Sequence, residues 1–318
     1  MSDNLNVLLV GAGYMAKEYS RVLTAQAIKH IAVCRSRETA VRFKSETGIE
    51  TIPGGIDNAL SNLQYKLKKS IVAVSVDQLA ETVIKLIENG FVEILVEKPA
   101  GINREQIQAV CHYAAKAHAK VFVAYNRRFY ASTDKAIQII TEDGGVSSYN
   151  FEFTEWSSIV EKTSHTSEIK EEWMLANSSH VVDLAFFLGG MPVEMCSYRS
   201  GSLPWHRRAS KYAGAGITET GVLFSYQANW GAPGRWAVEV LTNEHRLFFR
   251  PMEKLFIQNI GSVKIDEVQL DDRLDIKFKP GLFNQVKAFM EKKPDSRLLT
   301  IDEQLAHMNF YEQIEGLL

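Results

Sequence analysis

The pattern of apolar and polar positions along this chain changes character near residue 125. Before that point, short uninterrupted apolar runs alternate with segments of helical periodicity. A run with no polar alternation is the mark of a strand buried on both faces. Such runs predict strands over 7–10, 31–33, 71–76, 94–96 and 121–124. Between them, apolar residues recur at three- and four-residue spacing over 14–26, 38–47, 79–88 and 104–117, which predicts helices. Strands and helices in this order build right-handed βαβ units around a parallel sheet with helices on both faces.

Beyond residue 125 the period drops to two. Segments 148–156, 193–200, 218–230, 236–241, 246–250, 255–260 and 262–270 alternate without intervening helices. That is the pattern of an antiparallel sheet with one buried face. Helical patterns interrupt it at 134–141 and 173–188 and close the chain at 282–290 and 301–317. The expected organisation is therefore a parallel α/β domain over 1–125 and an α+β domain over 126–318.

Composition narrows the functional classes. The 318 residues are 46% hydrophobic and 23% charged, ordinary for a globular protein large enough for two domains. With 36 basic and 38 acidic residues the net charge is -2, which argues against coating nucleic acid or an anionic membrane surface. Cys34, Cys111 and Cys196 lie far apart and form no disulfide framework, so a reducing, cytoplasmic setting is expected. No stretch approaches the length of an apolar membrane span, no cleavable leader pattern opens the chain, and no metal-ligand spacing is present.

Candidate chemistry begins at Gly11-Ala12-Gly13-Tyr14-Met15-Ala16, a G-x-G-x-x-A run between a predicted strand and a predicted helix. Gly11 suits the tight turn. Gly13, lacking Cβ, lets a pyrophosphate approach the backbone, and Ala16 permits close helix-to-strand packing. The free N–H groups and positive dipole end of the helix favour phosphate there. The second strand ends in Cys34-Arg35-Ser36-Arg37, without the acid that would hold the 2′-hydroxyl of NAD. Arg35, Ser36 and Arg37 suit a 2′-phosphate instead, so NADP(H) is favoured and NAD(H) remains possible. The fourth strand ends in Glu97-Lys98-Pro99, at the edge of an α/β sheet where ligands bind.

The glycine run, Glu97-Lys98-Pro99, Tyr125-Asn126-Arg127-Arg128-Phe129, and Trp173 followed by His180-Val181-Val182-Asp183 together resemble the Gfo/Idh/MocA oxidoreductases. These are the glucose–fructose oxidoreductase and inositol dehydrogenase relatives. The resemblance spans nearly the whole chain. It implies an N-terminal Rossmann parallel sheet and a C-terminal α+β domain with a large open antiparallel sheet. It also implies hydride transfer between a nicotinamide and a sugar, cyclitol or nucleotide-sugar carbon. By it, Lys98 and His180 are the catalytic pair, and Asp183 is an acid on the histidine's helix. Gly11, Gly13, Tyr14, Met15, Arg35, Ser36, Arg37, Ser75, Val76, Gln78, Glu97, Lys98 and Asn126 would meet the cofactor. Lys98, Tyr125, Arg127, Trp173, Asn177 and His180 would meet the substrate. A homodimer or homotetramer through the C-terminal sheet is the implied assembly.

Two positions depart from the family pattern. Ala176 stands where an aspartate often precedes the histidine by four residues, and Ser75-Val76-Asp77-Gln78 replaces the usual proline and histidine of its loop. Two other classes therefore stay open: a redox-neutral enzyme with retained NAD, glycosidase-like, and a non-catalytic dinucleotide-responsive regulator. Trp205-His206-Arg207-Arg208 suits a substrate diphosphate or carboxylate, or equally a solvated loop or subunit contact.

Overall fold

The computed structural model describes residues 5–62, 67–293 and 295–318. The chain divides into two compact units: one of residues 1–125 with 277–306, the other of 126–276 with 307–318. The sequence pattern places everything beyond 125 in the second part, and the structure departs from this at one segment. The segment 277–306 packs with the first because helix Leu282–Met290 lies on the first helix of the chain and Leu299–Thr300 joins its sheet.

In the first unit, β1 (Val7–Val10), β2 (His30–Val33), β3 (Thr51–Ile52), β4 (Lys69–Val72), β5 (Glu93–Glu97) and β6 (Lys120–Ala124) form a parallel sheet. Its order is β6-β5-β4-β1-β2-β3, extended antiparallel at β6 by Leu299–Thr300. Val7, Leu8, Leu9, Ile71, Val72, Ile94, Leu95 and Val96 are fully buried, the outcome expected of strands covered on both faces. Helices α1 (Tyr14–Ala25), α2 (Arg37–Thr47), α3 (Gly55–Asn62), α4 (Leu79–Glu88) and α5 (Arg104–Ala117) supply the connections. The pattern does not show α3, because it is only eight residues long and Ala59 is its single buried residue. The strand expected over 71–76 is displaced to Lys69–Val72, and 76–78 form a short 3-10 turn instead.

The second unit is built on an eight-stranded sheet. Its strands are β7 (Ser148–Glu152), β8 (Pro192–Ser200), β9 (Lys211–Thr218), β10 (Leu223–Asn229), β11 (Ala237–Leu241), β12 (His245–Phe249), β13 (Phe256–Asn259) and β14 (Asp266–Glu267), in the order β14-β13-β12-β11-β7-β10-β9-β8. All neighbours are antiparallel except β7 and β10. The alternation was read as one strand over 218–230, whereas the chain turns after Thr218 and both sides of that turn are strands. Lys211–Thr218 escaped notice because Ala213-Gly214-Ala215-Gly216 has low strand propensity. Its glycines are required by its neighbour. Gly214 lies opposite Tyr226 and Gly216 opposite Phe224, and a Cβ at either glycine would overlap the facing ring. Segment 262–270 contributes only Asp266–Glu267, since Val263 and Ile265 are exposed and its alternation has no core to face.

Helix Ser179–Gly189 packs on the inner face of β7 and β11, and Val181, Val182, Leu184 and Ala185 are wholly buried. The helical pattern at 173–188 conceals a change of winding: Met174–Ser178 is a π-helical turn that leads into Ser179–Gly189. No helix among the described residues is long and apolar enough to cross a membrane.

Candidate active site

The Gly11–Gly13 turn has the conformation its motif requires. Gly11 sits at φ +125°, a region L side chains avoid, and a Cβ there would overlap the Ala73 carbonyl oxygen of the adjoining strand end. Around Gly13, by contrast, a Cβ would meet nothing within 4 Å. The space that Gly13 keeps open is thus not used by the protein. The N-terminus of α1 differs from those of α2 and α5. Ser36 caps α2 by accepting from the Thr39 N–H at 3.1 Å, and Asn103 caps α5 by accepting from the Gln106 N–H at 3.0 Å. At α1 the cap residue is Gly13, with no side-chain cap and no acid in the first turn. Its leading N–H groups are left for an anion, as a pyrophosphate site demands.

A cleft of about 730 Å³ opens over this turn. Gly11, Gly13, Tyr14, Met15, Arg35, Ser75 and Gln78 line it, while Ser36, Arg37, Val76 and Glu97 are outside its walls. Ser36 spends its hydroxyl on the cap and on Thr39 Oγ1 at 2.9 Å. Arg37 is the first residue of α2, and Arg42, five positions on, lines the cleft instead. Sequence reasoning missed Arg42; helical spacing from Thr39, which lines the same wall, is the signal that would have found it. The two acids on the wall, Asp57 and Glu81, both bond Lys85, at 2.9 and 2.8 Å. Arg35 and Arg42 have no acid partner among the described residues. The wall therefore carries a net positive charge, and a phosphate-bearing dinucleotide fits the residues present.

Glu97 turns away from that cleft. It accepts from the hydroxyl of fully buried Tyr19 on α1 at 2.8 Å, and burial pushes its carboxyl up, against that hydrogen bond and the charges of Lys98 and Lys279. Lys98 follows at the strand end and is half-buried. Two residues later Ala100 adopts φ +75°, with its N–H donating to the Glu97 carbonyl at 3.0 Å. A non-glycine residue in that region is a local strain of the kind kept at working sites. Tyr125, at the end of the first unit, is buried.

The second unit assembles its own cluster. Asn126–Phe129 forms a 3-10 turn locked to helix Ser179–Gly189 by a bidentate pair: Arg128 Nε and Nη2 donate to Asp183 at 2.9 and 2.6 Å, with both side chains buried. Asp183 is thus an anchor for the turn. Arg127 is held over the Trp236 ring at 4.7 Å, and the His180 ring lies 6.1 Å from the same tryptophan.

Glu155 organises this cluster, and no motif in the sequence points to it. It is 1% exposed. Its Oε1 accepts from Asn177 at 3.0 Å, Ser178 at 2.7 Å and Trp236 Nε1 at 3.2 Å, and Oε2 accepts from Arg235 at 3.0 Å. The π turn brings consecutive residues Asn177 and Ser178 to one carboxylate, just before His180. Such turns recur at functional sites. Burial pushes the Glu155 carboxyl up, and Ser178, Arg235 and Asn177 oppose it.

Trp173 goes elsewhere. It packs edge-on against Trp205 at 6.2 Å and His165 at 5.5 Å. Trp205 in turn stacks on Trp230 at 5.6 Å. In the loop Trp205-His206-Arg207-Arg208 only Arg207 is exposed. His206 is fully buried, and Arg208 is committed to Glu172 and to Glu315, the latter at 2.7 Å. No group of three or more potential metal ligands occurs among the described residues.

Solved structures of the same fold are numerous. Levoglucosan dehydrogenase in complex with NADH superposes with a TM-score of 0.80 at 17% identity, covering 99% of this chain and 96% of that one. An NAD-binding oxidoreductase from Klebsiella pneumoniae gives 0.78 at 15%, over 99% and 96%. UDP-N-acetylglucosamine 3-dehydrogenase from Acidithiobacillus ferrooxidans gives 0.76 at 13%, over 98% and 97%. At these identities the likeness shows the fold. No curated protein sequence matches. Residues 5–125 match the model of the Gfo/Idh/MocA family, an oxidoreductase family with an NAD-binding Rossmann fold.

Proposed function

We propose that the protein is an NAD(P)-dependent dehydrogenase or reductase acting on a CH–OH carbon of a sugar-like substrate, with Lys98 and His180 as its catalytic groups. The single observation that carries this reading is the Gly11–Gly13 turn, with its uncapped helix N-terminus and the space at Gly13 that no protein atom fills. When bound, the nicotinamide would supply or accept the hydride. In this reading Lys98 stabilises the negative charge that develops on the reacting oxygen, and His180 takes or returns its proton. The His180 ring lies against Trp236, whose indole N–H donates to Glu155. The sugar-like class draws on the family resemblance and on the sugar dehydrogenases that share the fold.

Arg35 and Arg42 support NADP(H) as the preferred cofactor, because their cleft wall carries three cations, Arg35, Arg42 and Lys85, against two acids, Asp57 and Glu81, both of which bond Lys85. Val193 and Tyr198 on β8 and Leu223 on β10 are 57%, 73% and 61% exposed. They support assembly of a homo-oligomer through this sheet, and light scattering should find more than one chain per particle. The test of the catalytic assignment is turnover in Lys98→Met and His180→Ala. Each should lose about 10²–10⁴-fold in kcat with cofactor affinity retained in His180→Ala. Unchanged turnover in His180→Ala would remove that residue from the mechanism.

A further inference from the structure

Arg127 and Arg235 lie against the same tryptophan but in opposite electrostatic circumstances. Arg235 stacks on Trp236 at 4.1 Å and on exposed Trp156 at 4.7 Å, and its charge is answered by Glu155 at 3.0 Å. Arg127 stacks on Trp236 at 4.7 Å and on Tyr130 at 5.8 Å, and forms no ion pair with an acid among the described residues; Glu253 and Asp275 act on the neighbouring Tyr130 only at longer range. Its Nε is buried without a hydrogen-bond partner among the described residues. Aromatic stacking engages the face of a guanidinium and leaves its in-plane N–H donors unused, and those donors match an oxyanion in bidentate fashion. A half-buried cation without a counter-charge is costly, and the cost is removed when a ligand brings the missing charge. The backbone at Arg127 is held in place, because Arg128 beside it is paired with Asp183 and the Arg127 carbonyl accepts from Thr133 at 2.7 Å.

We propose that Arg127 is the receptor for a carboxylate or phosphate oxyanion carried by the substrate, so that the reacting sugar is an acidic one. The inference rests on the reading of this cluster as the substrate side of a dehydrogenase and assigns the substrate's charge within it. Stacked between two rings beside His180, Arg127 holds the anionic group while the neutral part of the sugar meets Trp236 and the histidine.

The test is a calorimetric titration of the full chain with D-glucuronate, D-glucose 6-phosphate and D-glucose, with and without NADPH. Reduced cofactor with alcohol-form sugars gives dead-end complexes, so binding is read without turnover. At least one acidic sugar should bind tenfold or more tightly than glucose, and which one identifies the oxyanion as carboxylate or phosphate. In Arg127→Met that preference should collapse to within twofold, with NADPH affinity unchanged, while Arg127→Lys should retain part of it. Equal binding of all three sugars, or no binding of any, overturns the proposal. So does a preference that survives Arg127→Met, or a loss of NADPH affinity in that variant, which would make the cofactor's phosphates the partner. Failure of NADPH to bind the unmodified chain defeats the dehydrogenase reading instead and leaves the sugar preference legible.

Discussion

The nucleotide cleft of the first unit and the histidine cluster of the second are built on opposite principles. The cleft works by what is missing: no Cβ at Gly11 or Gly13, no side-chain cap on α1, and no acid partner for Arg35 or Arg42 among the described residues. The cluster works by a side-chain network around Glu155, whose partners Asn177, Ser178, Arg235 and Trp236 lie 22, 23, 80 and 81 positions away. A cradle of backbone is written locally, in a few adjacent residues. A buried carboxylate with four donors is written only in the fold. The two regions should therefore respond differently to small substitutions.

The largest effect is expected at Gly11. Gly11→Ala places a methyl group against the Ala73 carbonyl at a positive φ, and should cost about 2–5 kcal/mol of stability by chemical denaturation. Gly13→Ala is its sharp counterpart. With nothing within 4 Å, the new methyl should leave stability within about 1 kcal/mol of the parent while weakening nucleotide binding at least tenfold. Loss of stability in Gly13→Ala, or unchanged nucleotide affinity, would show that the open space is not a ligand's.

In the cluster, Glu155→Ala strands Arg235 and three neutral donors and should cost about 3–5 kcal/mol. Glu155→Gln, closer in shape, should keep the fold and lower kcat/KM about tenfold, chiefly through kcat, because Trp236 and Asn177 lose their common acceptor. An unchanged kcat with folding intact would reduce Glu155 to a structural role.

Smaller effects follow from charge. Arg35→Asp and Arg42→Asp should each weaken NADPH about tenfold or more and NADH less than threefold. Equal weakening of both nucleotides would deny these arginines a 2′-phosphate role. Glu315 should set a pH dependence. Burial pushes its carboxyl up to about 8, opposed by Arg208 and reinforced by Glu172 and Glu171, since one guanidinium cannot neutralise all three. The folded chain then keeps a proton that the unfolded chain releases near 4.5. Stability from this group is complete below that value and is lost as the pH rises toward 8. Each unit of difference corresponds to about 1.4 kcal/mol. Thermal unfolding between pH 5 and pH 8 (roughly the window of this shift) should show the decline, and Glu315→Gln should flatten it.

This contrast also explains what could be read before the structure was seen. The first unit was legible because its signals are short-range: apolar runs for the strands, glycines for the turn, cap residues at helix ends. Even there, α3 was hidden by its short length, and Arg42 by its place two turns into a helix. In the second unit the alternation revealed most strands, yet Lys211–Thr218 was masked by glycines that exist to receive Tyr226 and Phe224 from the neighbouring strand. His180 and Arg127 were found through resemblance. Their supports were not, because Glu155 and Trp236 acquire meaning only when β7 and β11 lie side by side.

The most direct measurement is calorimetric titration of the purified chain with NADPH and with NADH, after denaturing release has shown that no nucleotide is already held. Calorimetry is preferred to tryptophan quenching because all five tryptophans lie between residues 156 and 236, outside the nucleotide cleft. Saturable one-to-one binding of both, with NADPH the tighter, is the predicted result. Binding of neither nucleotide would contradict the dinucleotide site at Gly11–Gly13, and with it the oxidoreductase reading of the chain.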